Sequence, residues 1–283
     1  MPCMGQTFWT DMGGAAGLLY GGSLAIAANL RGATVAAILL GTLRRRTRPT
    51  RQAGKREEMA DHFQRALKAL KIRALDLGSL VEEQVRLAVR SVEERDEDLA
   101  QRVFQDDDEI DNAEVEIEEE CLKMLALYQP VAADLRFIVA ALKINNDLER
   151  IGDVAVNIAE RAVFLANRPL LKTRITFRAM AEKTQGMLRS SLDALVDLDS
   201  DQAYLVIAAD DEVDALNRQS YIDVQNGIRE NPNEVQALLH VLSVSRHLER
   251  IADLAASIAE EVIYLVRGEI VRHRLEDYLG GRS

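Results

Sequence analysis

Eight carboxylates stand in four pairs with one spacing. Asp107 and Asp111 are four residues apart, and so are Glu149 and Asp153, Asp210 and Asp214, and Glu249 and Asp253. Residues four apart on an α-helix stack on one face with Cβ atoms roughly 5–6 Å apart. Like charges so placed destabilise the helix by about 0.2–0.5 kcal/mol per pair. A bound cation offsets that repulsion. Carboxylate oxygens are hard ligands that suit magnesium, calcium, manganese or iron, and an oxygen-only set is less usual for zinc. The ordinary alternative is a solvated acidic face neutralised by salt bridges, for which Lys143, Arg150, Arg246 and Arg250 are at hand. Pairs on helices expected to be neighbours, repeated in both halves, put metal binding level with that alternative or ahead of it.

The pairs sit inside a repeat. LERIGDVAVNIAE at 148–160 returns as LERIADLAASIAE at 248–260, with nine of thirteen positions identical. DDEID at 107–111 returns as DDEVD at 210–214. The offset is 103 for the second motif and 100 for the first, so one loop is three residues shorter in the second half. From residue 60 onward apolar residues recur at helical spacing, which predicts helices near 60–95, 98–128, 131–166, 172–198, 200–229 and 233–267. Pro130 and Pro232 fall at the start of the third helix of each half, where a missing amide hydrogen costs nothing. Long helices joined by short turns predict an all-α fold of two tandem antiparallel three-helix bundles, over 59–168 and 169–275 with a tail at 276–283.

Helical rotation of about 100° per residue places the acids. Taking Leu148 as the origin, Ile151, Ala155, Ile158, Ala162 and Leu165 form a core stripe, and Glu149, Asp153, Asn157 and Glu160 lie nearly opposite it. The acids are expected on an outer face. Glu114 and Glu118 extend the first stripe, whereas the equivalent positions of the second half hold Asn217 and Tyr221, and Asn157 is replaced by Ser257. The first centre is therefore expected to bind metal more tightly or more extensively. His247, next to Leu248 and Glu249, is a helix-surface position that can join the second centre; Met124 and Phe137 are expected in the core.

Charge narrows the function. The net charge is −11, but residues 1–58 carry eight Lys or Arg against three Asp or Glu, and the remainder carries 27 against 43. An acidic body argues against nucleic acid as a partner, since phosphate binding needs clustered basic groups. Cys3 and Cys121 are far apart with no CxxC, which argues against a disulfide framework or a cysteine-based zinc site and fits a reducing cytoplasm. Residues 12–43 are apolar and RRRTRPTR follows at 44–51, the pattern of a membrane span with a basic stop. Arg31 and six glycines within 13–32 weaken that reading, and no basic residue precedes the run as a secretory signal requires. GKREEM at 54–59 also reads as a translated ribosome-binding site, so the expectation is that Met59 is the true start and 1–58 is a mis-called leader.

Two copies of LERIxDxAxxIAE, preceded by QPVAADLRFI at 129–138 and each paired with an Asp-x-x-x-Asp on the helix before, resemble the PhoU family of phosphate-specific transport accessory proteins. The resemblance covers roughly 62–275 and leaves out 1–58. It implies a six-helix protein of two similar bundles, with multinuclear iron or zinc clusters on the bundle surface and manganese or magnesium as alternatives. Carried over by position, the metal residues are Asp107, Asp111, Glu149 and Asp153, then Asp210, Asp214, Glu249 and Asp253; Ser257 departs from the asparagine usual there. It also implies a cytoplasmic negative regulator of the phosphate starvation response, acting between the ATPase of a phosphate ABC importer and a phosphate-sensing histidine kinase. A homodimer is expected, and peripheral membrane association through those partners.

Two other classes stay open. A carboxylate-bridged di-iron enzyme wants Glu-x-x-His facing a bundle interior. None of His62, His240, His247 and His273 has a glutamate three residues before it. A helical domain anchored to the membrane by 12–43 is the other. No Walker A, Gly-x-Gly-x-x-Gly or Gly-x-Ser-x-Gly motif occurs, and the chain is expected not to be an enzyme.

Overall fold

Helices follow one another, with short turns inside each half and a longer linker between α3 and α4: Arg51–Glu94 (α1), Glu97–Tyr128 (α2), Ala132–Ala166 (α3), Arg178–Asp197 (α4), Ser200–Glu230 (α5) and Val235–Arg267 (α6), with a 3₁₀ turn at Pro232–Glu234. The structure, a computed structural model, describes residues 51–173 and 177–271, with side chains from Glu58 onward. The expectations for the leader over 1–50, including the span at 12–43, and for the tail at 276–283 lie outside the described residues. Among the described residues there is no strand, and no helix is long and apolar enough to cross a membrane.

Apolar spacing accounts for the helices. In α1, Leu70, Ala74, Leu77, Val81, Val85, Ala88 and Val92 recur three or four apart and are all buried. The core stripe expected on α3 is buried as well, from Leu148 through Ile151, Ala155, Ile158 and Ala162 to Leu165. The buried arc is wider than that stripe, because Gly152, Val154 and Ala159 are also buried. The reason is a second neighbour. Helix α3 packs on α2 of its own half and also on α6 of the other, while α6 packs on α4, α5 and α3. Lys143 Nζ meets Glu261 Oε1 at 3.1 Å near one end of the α3–α6 contact, and Phe164 stacks on His240 at 3.6 Å near the other, so these two helices run antiparallel. The described residues from 53 onward accordingly form one compact unit.

The turn after the first helix of each half repeats as well. Arg95 (φ 56°) and Leu198 (φ 52°) each take the left-handed conformation that ends the first helix of a half. Asp96 and Asp199 then cap the next helix. Asp96 Oδ1 accepts from the amides of Asp98 (2.9 Å) and Leu99 (3.2 Å), and Asp199 Oδ1 from those of Asp201 (2.9 Å) and Gln202 (3.1 Å). Each cap satisfies amides that have no intrahelical partner.

Two helix starts differ from expectation. Helix α1 begins at Arg51 rather than near 60, and α4 begins at Arg178 rather than near 172. The second difference has a clear cause. The Glu234 carboxylate accepts from the amides of Lys172 (2.9 Å) and Thr173 (3.4 Å) and from the Thr173 hydroxyl (3.2 Å). Those hydrogen bonds tie the linker over the α5–α6 turn instead of releasing it to helix. Gly227 on α5 makes room there, since a Cβ at that position would lie 2.5 Å from Thr173 Cγ2.

Replacing the second cap, Asp199→Ala, is expected to cost about 0.5–2 kcal/mol. For a domain of this size each kcal/mol lowers the melting temperature by roughly 2–4 °C. Calorimetry checks it, and an unchanged melting temperature contradicts the assigned cap.

Candidate functional site: two acidic centres

Each half brings its four paired acids to one surface where two helices pack. In the first half Asp107 and Asp111 stand on α2, and Glu149 and Asp153 on α3. In the second half Asp210 and Asp214 stand on α5, and Glu249 and Asp253 on α6. Asp107, Glu149, Asp210, Asp214 and Glu249 are half-buried, while Asp111, Asp153 and Asp253 are exposed. The outer face expected from helical rotation is therefore a ledge at the edge of the core, not open surface. The register makes it so: Asp107 stands between buried Val103 and Ile110, and Glu149 follows buried Leu148.

The acids feel one another across the helix pair. Burial raises the Glu149 carboxyl above its ordinary range, and the charges of Asp153, Asp111, Glu114 and Asp107 raise it further. Burial also raises Asp107; a hydrogen bond from Gln84 opposes that, and Asp111 and Asp153 add to it. Glu114 joins the centre, raised by burial and then by Glu118 and Asp111. In the second half burial pushes Asp210 up to about 6, assisted by Asp253, Asp214 and Glu249. Glu249 and Asp253 are raised by burial first and by carboxylate neighbours second. Oxygen donors thus gather in two places, each acid raised by its carboxylate neighbours.

In the first half the basic residues expected to neutralise the acids go elsewhere. Lys143 pairs with Glu261 across the α3–α6 contact, and Arg150 turns to Asp147 at 3.4 Å. In the second half Arg218 reaches Asp214 at 3.4 Å and Arg246 lowers the Glu249 carboxyl. Val115 and Asn146 occupy those two positions in the first half. The first centre therefore carries more acid and less base than the second. Among the described residues, no three of His, Cys, Asp or Glu are arranged as a ready-made metal cage. The acids form open ledges whose side chains would have to converge on an ion.

Neighbouring residues sort out as follows. His247 shares a hydrogen bond with Ser243 (3.1 Å), and burial together with Arg161, Arg250 and Arg246 holds its pKa down. His247, Glu249 and Asp253 line one cleft with Arg150, Arg246 and Arg250. Cys121 is buried and its thiol is pushed up to about 12 by burial and then by Glu120 and Glu118, so it offers no thiolate. Met124 is buried as expected, whereas Phe137 is only partly covered.

Two residues escaped the sequence reading. Gln84 on α1 is 1% exposed and donates from Nε2 to Asp107 Oδ1 (3.0 Å) and to the Val103 carbonyl (3.3 Å). Asn145 on α3 is 2% exposed and donates from Nδ2 to the Glu114 carbonyl (2.9 Å) and to Glu114 Oε1 (3.0 Å). The available signal was an amide at an apolar position of each helical stripe, next to Val85 and Ile144.

The raised Asp210 carboxyl sets a pH dependence. Its folded pKa of about 6 lies above the ordinary aspartate value, so the folded chain binds the extra proton between the two. The ionised group opposes folding at neutral pH, and that opposition is relieved as pH falls through about 6. With divalent cations removed, Asp210→Asn is expected to melt higher than the parent chain at about pH 7.5 and to keep only part of that advantage near about pH 5. Scanning calorimetry at both pH values checks this, and a variant that melts lower at both contradicts it.

Comparison with known proteins agrees with this architecture. The PhoU domain matches twice, over residues 74–162 and 177–262. The chain is 40% identical over 208 residues to the phosphate-specific transport system accessory protein PhoU homolog of Aquifex aeolicus, covering 74% of this chain and 94% of that one. It is 38% identical over 216 residues to the homolog of Pseudomonas putida, covering 76% and 84%. The crystal structure of PhoU from Pseudomonas aeruginosa superposes with a TM-score of 0.71 at 38% identity, covering 73% of this chain and all of that one. The phosphate transport system regulatory protein PhoU from Streptococcus pneumoniae superposes at 0.65 with 28% identity, covering 74% and 99%. With its duplicated helical halves and the acid pairs repeated in each, the chain belongs to the PhoU family.

Proposed function

We propose that this protein is a cytoplasmic accessory regulator of phosphate transport that acts by docking and not by catalysis. The observation that carries the reading is the double PhoU match with relatives named for the phosphate-specific transport system. Its partners are the ATPase of a phosphate ABC importer and a phosphate-sensing histidine kinase, which bring it to the membrane surface as a peripheral protein, and it works as a homodimer. A binding protein shifts a partner between two conformations only through unequal affinity for them. The regulator holds the kinase in its quiet state when phosphate is abundant.

The eight acids would hold metal in this reading: Asp107, Asp111, Glu149 and Asp153 in one centre, Asp210, Asp214, Glu249 and Asp253 in the other. The residues fit such ions in chemistry. The donors are hard oxygens, they raise one another's pKa across two helices, and Asp210 Oδ1 is buried with no hydrogen-bond partner. Iron or zinc clusters, or manganese or magnesium, would supply positive charge that cancels the repulsion and ties neighbouring helices together.

Two measurements test the reading. Deleting the gene is expected to release phosphate-starvation output, such as secreted phosphatase, in phosphate-rich medium; unchanged repression in a strain with no second family member removes the regulatory role. Elemental analysis of the chain purified without a histidine tag is expected to find metal. A variant with Ala at Asp107, Asp111, Glu149 and Asp153 should lose much of it while staying helical. Metal-free protein after loading leaves the ledges as acidic docking faces for basic partners.

A further inference from the structure

The two halves differ most where buried amides meet the acids. Gln84 is replaced 103 positions on by Met187, and Asn145 is replaced 100 positions on by Ser245. The position equivalent to Glu114 is Asn217. The first half thus holds an oxygen of Asp107 and an oxygen of Glu114 with amide donors from the core. The second half leaves Asp210 Oδ1 and the Ser245 hydroxyl buried without partners, whereas in the first half the unpartnered buried oxygens are those of the two amides themselves, Gln84 Oε1 and Asn145 Oδ1. The amide orientation of Gln84 is fixed by chemistry: turning it over would aim an oxygen at the Asp107 carboxylate and the Val103 carbonyl, both acceptors. Space is matched as well. A Cβ on Gly152 would lie 3.1 Å from Gln84 Oε1, and the second half, which has Met187 instead, has Ala252 at the glycine position.

We propose that Gln84 is a positioning residue of the first acidic centre: its buried amide clamps Asp107 in one orientation, Gly152 gives it room, and Asn145 does the same for Glu114. The second centre, without these clamps, must order its carboxylates when an ion arrives. This inference rests on the metal reading above. Hydrogen-bond partners behind a metal ligand reduce what binding must still order, and their loss commonly costs metal sites about 10–100-fold in affinity.

The test is a calorimetric titration of Mn²⁺ into the full chain whose second centre is disabled by Asp210→Asn and Asp214→Asn. Adding Gln84→Met, which copies the second half, is expected to weaken Mn²⁺ binding about 10–100-fold with helical circular dichroism unchanged. The reciprocal change, Met187→Gln with Ala252→Gly and the first centre disabled by Asp107→Asn and Asp111→Asn, is expected to tighten binding at the second centre. A merely structural role for Gln84 would not produce that gain. A cation-free readout stands beside these: the melting shifts of Gln84→Met and Asp107→Asn are expected to be non-additive, as for groups in direct contact. Mn²⁺ affinity unchanged by Gln84→Met, or additive melting shifts, overturns the clamp and leaves the metal reading intact. No Mn²⁺ uptake by the parent chain overturns the metal reading itself.

Discussion

The antiparallel contact between α3 and α6 is the constraint from which the rest follows. Each of these helices must bury two sides, one against its own half and one against its twin in the other half. That leaves a narrow arc of each helix free, and the acids occupy the border of that arc. Glu149 and Glu249 come directly after the buried residues Leu148 and Leu248, so their carboxylates are half-desolvated by packing they take no part in. Surface acids placed a residue further round would be fully hydrated and would perturb one another far less.

Desolvation and mutual repulsion act in the same direction on these carboxyls. Burial is the first cause of the raised pKa at Asp107, Glu149, Asp210, Glu249 and Asp253, and neighbouring carboxylates contribute to the rise in each. A chain selected only for stability would place arginines among them, and this one has arginines to spare. Arg150 instead pairs with Asp147, whereas in the second half Arg246 and Arg250 share a cleft with Glu249 and Asp253, and Arg246 lowers the Glu249 carboxyl. The first centre is the plainer case, with Val115 and Asn146 where the second has Arg218 and Arg246.

Duplication makes the molecule its own control. The first turn of each half, its aspartate cap, the acid pairs and the α3–α6 stripe are kept in both halves, and each depends on backbone geometry or core volume that both halves share. What has diverged is the environment of the acids: Gln84 against Met187, Gly152 against Ala252, Asn145 against Ser245, Glu114 against Asn217. The α3–α6 contact has diverged too, with Lys143 on Glu261 at one end and their equivalents Ser243 and Arg161 near His247 at the other. A twofold-like frame therefore carries two chemically unequal centres.

Spacing alone determined a good deal here. A period of three and four residues, two repeats at offsets of 100 and 103, and prolines at helix starts were enough for six helices in two halves. Four-residue separation was enough to stack each acid pair on one face. These are local properties, set by the geometry of a single helix. The tertiary structure decided everything that depends on a second helix. Rotation about one axis placed Glu149 and Asp153 opposite the core, but only the approach of α2 and α6 made the ledge half-buried and raised the carboxyls. The linker before α4 reads as helix until Glu234, sixty residues away, takes its amides. Gln84 reads as one polar break in an apolar stripe, because the carboxylate it holds is 23 residues along the chain and on another helix. Long-range hydrogen bonds leave no period in a sequence, so the partners that orient the acids became visible only when the helices were packed.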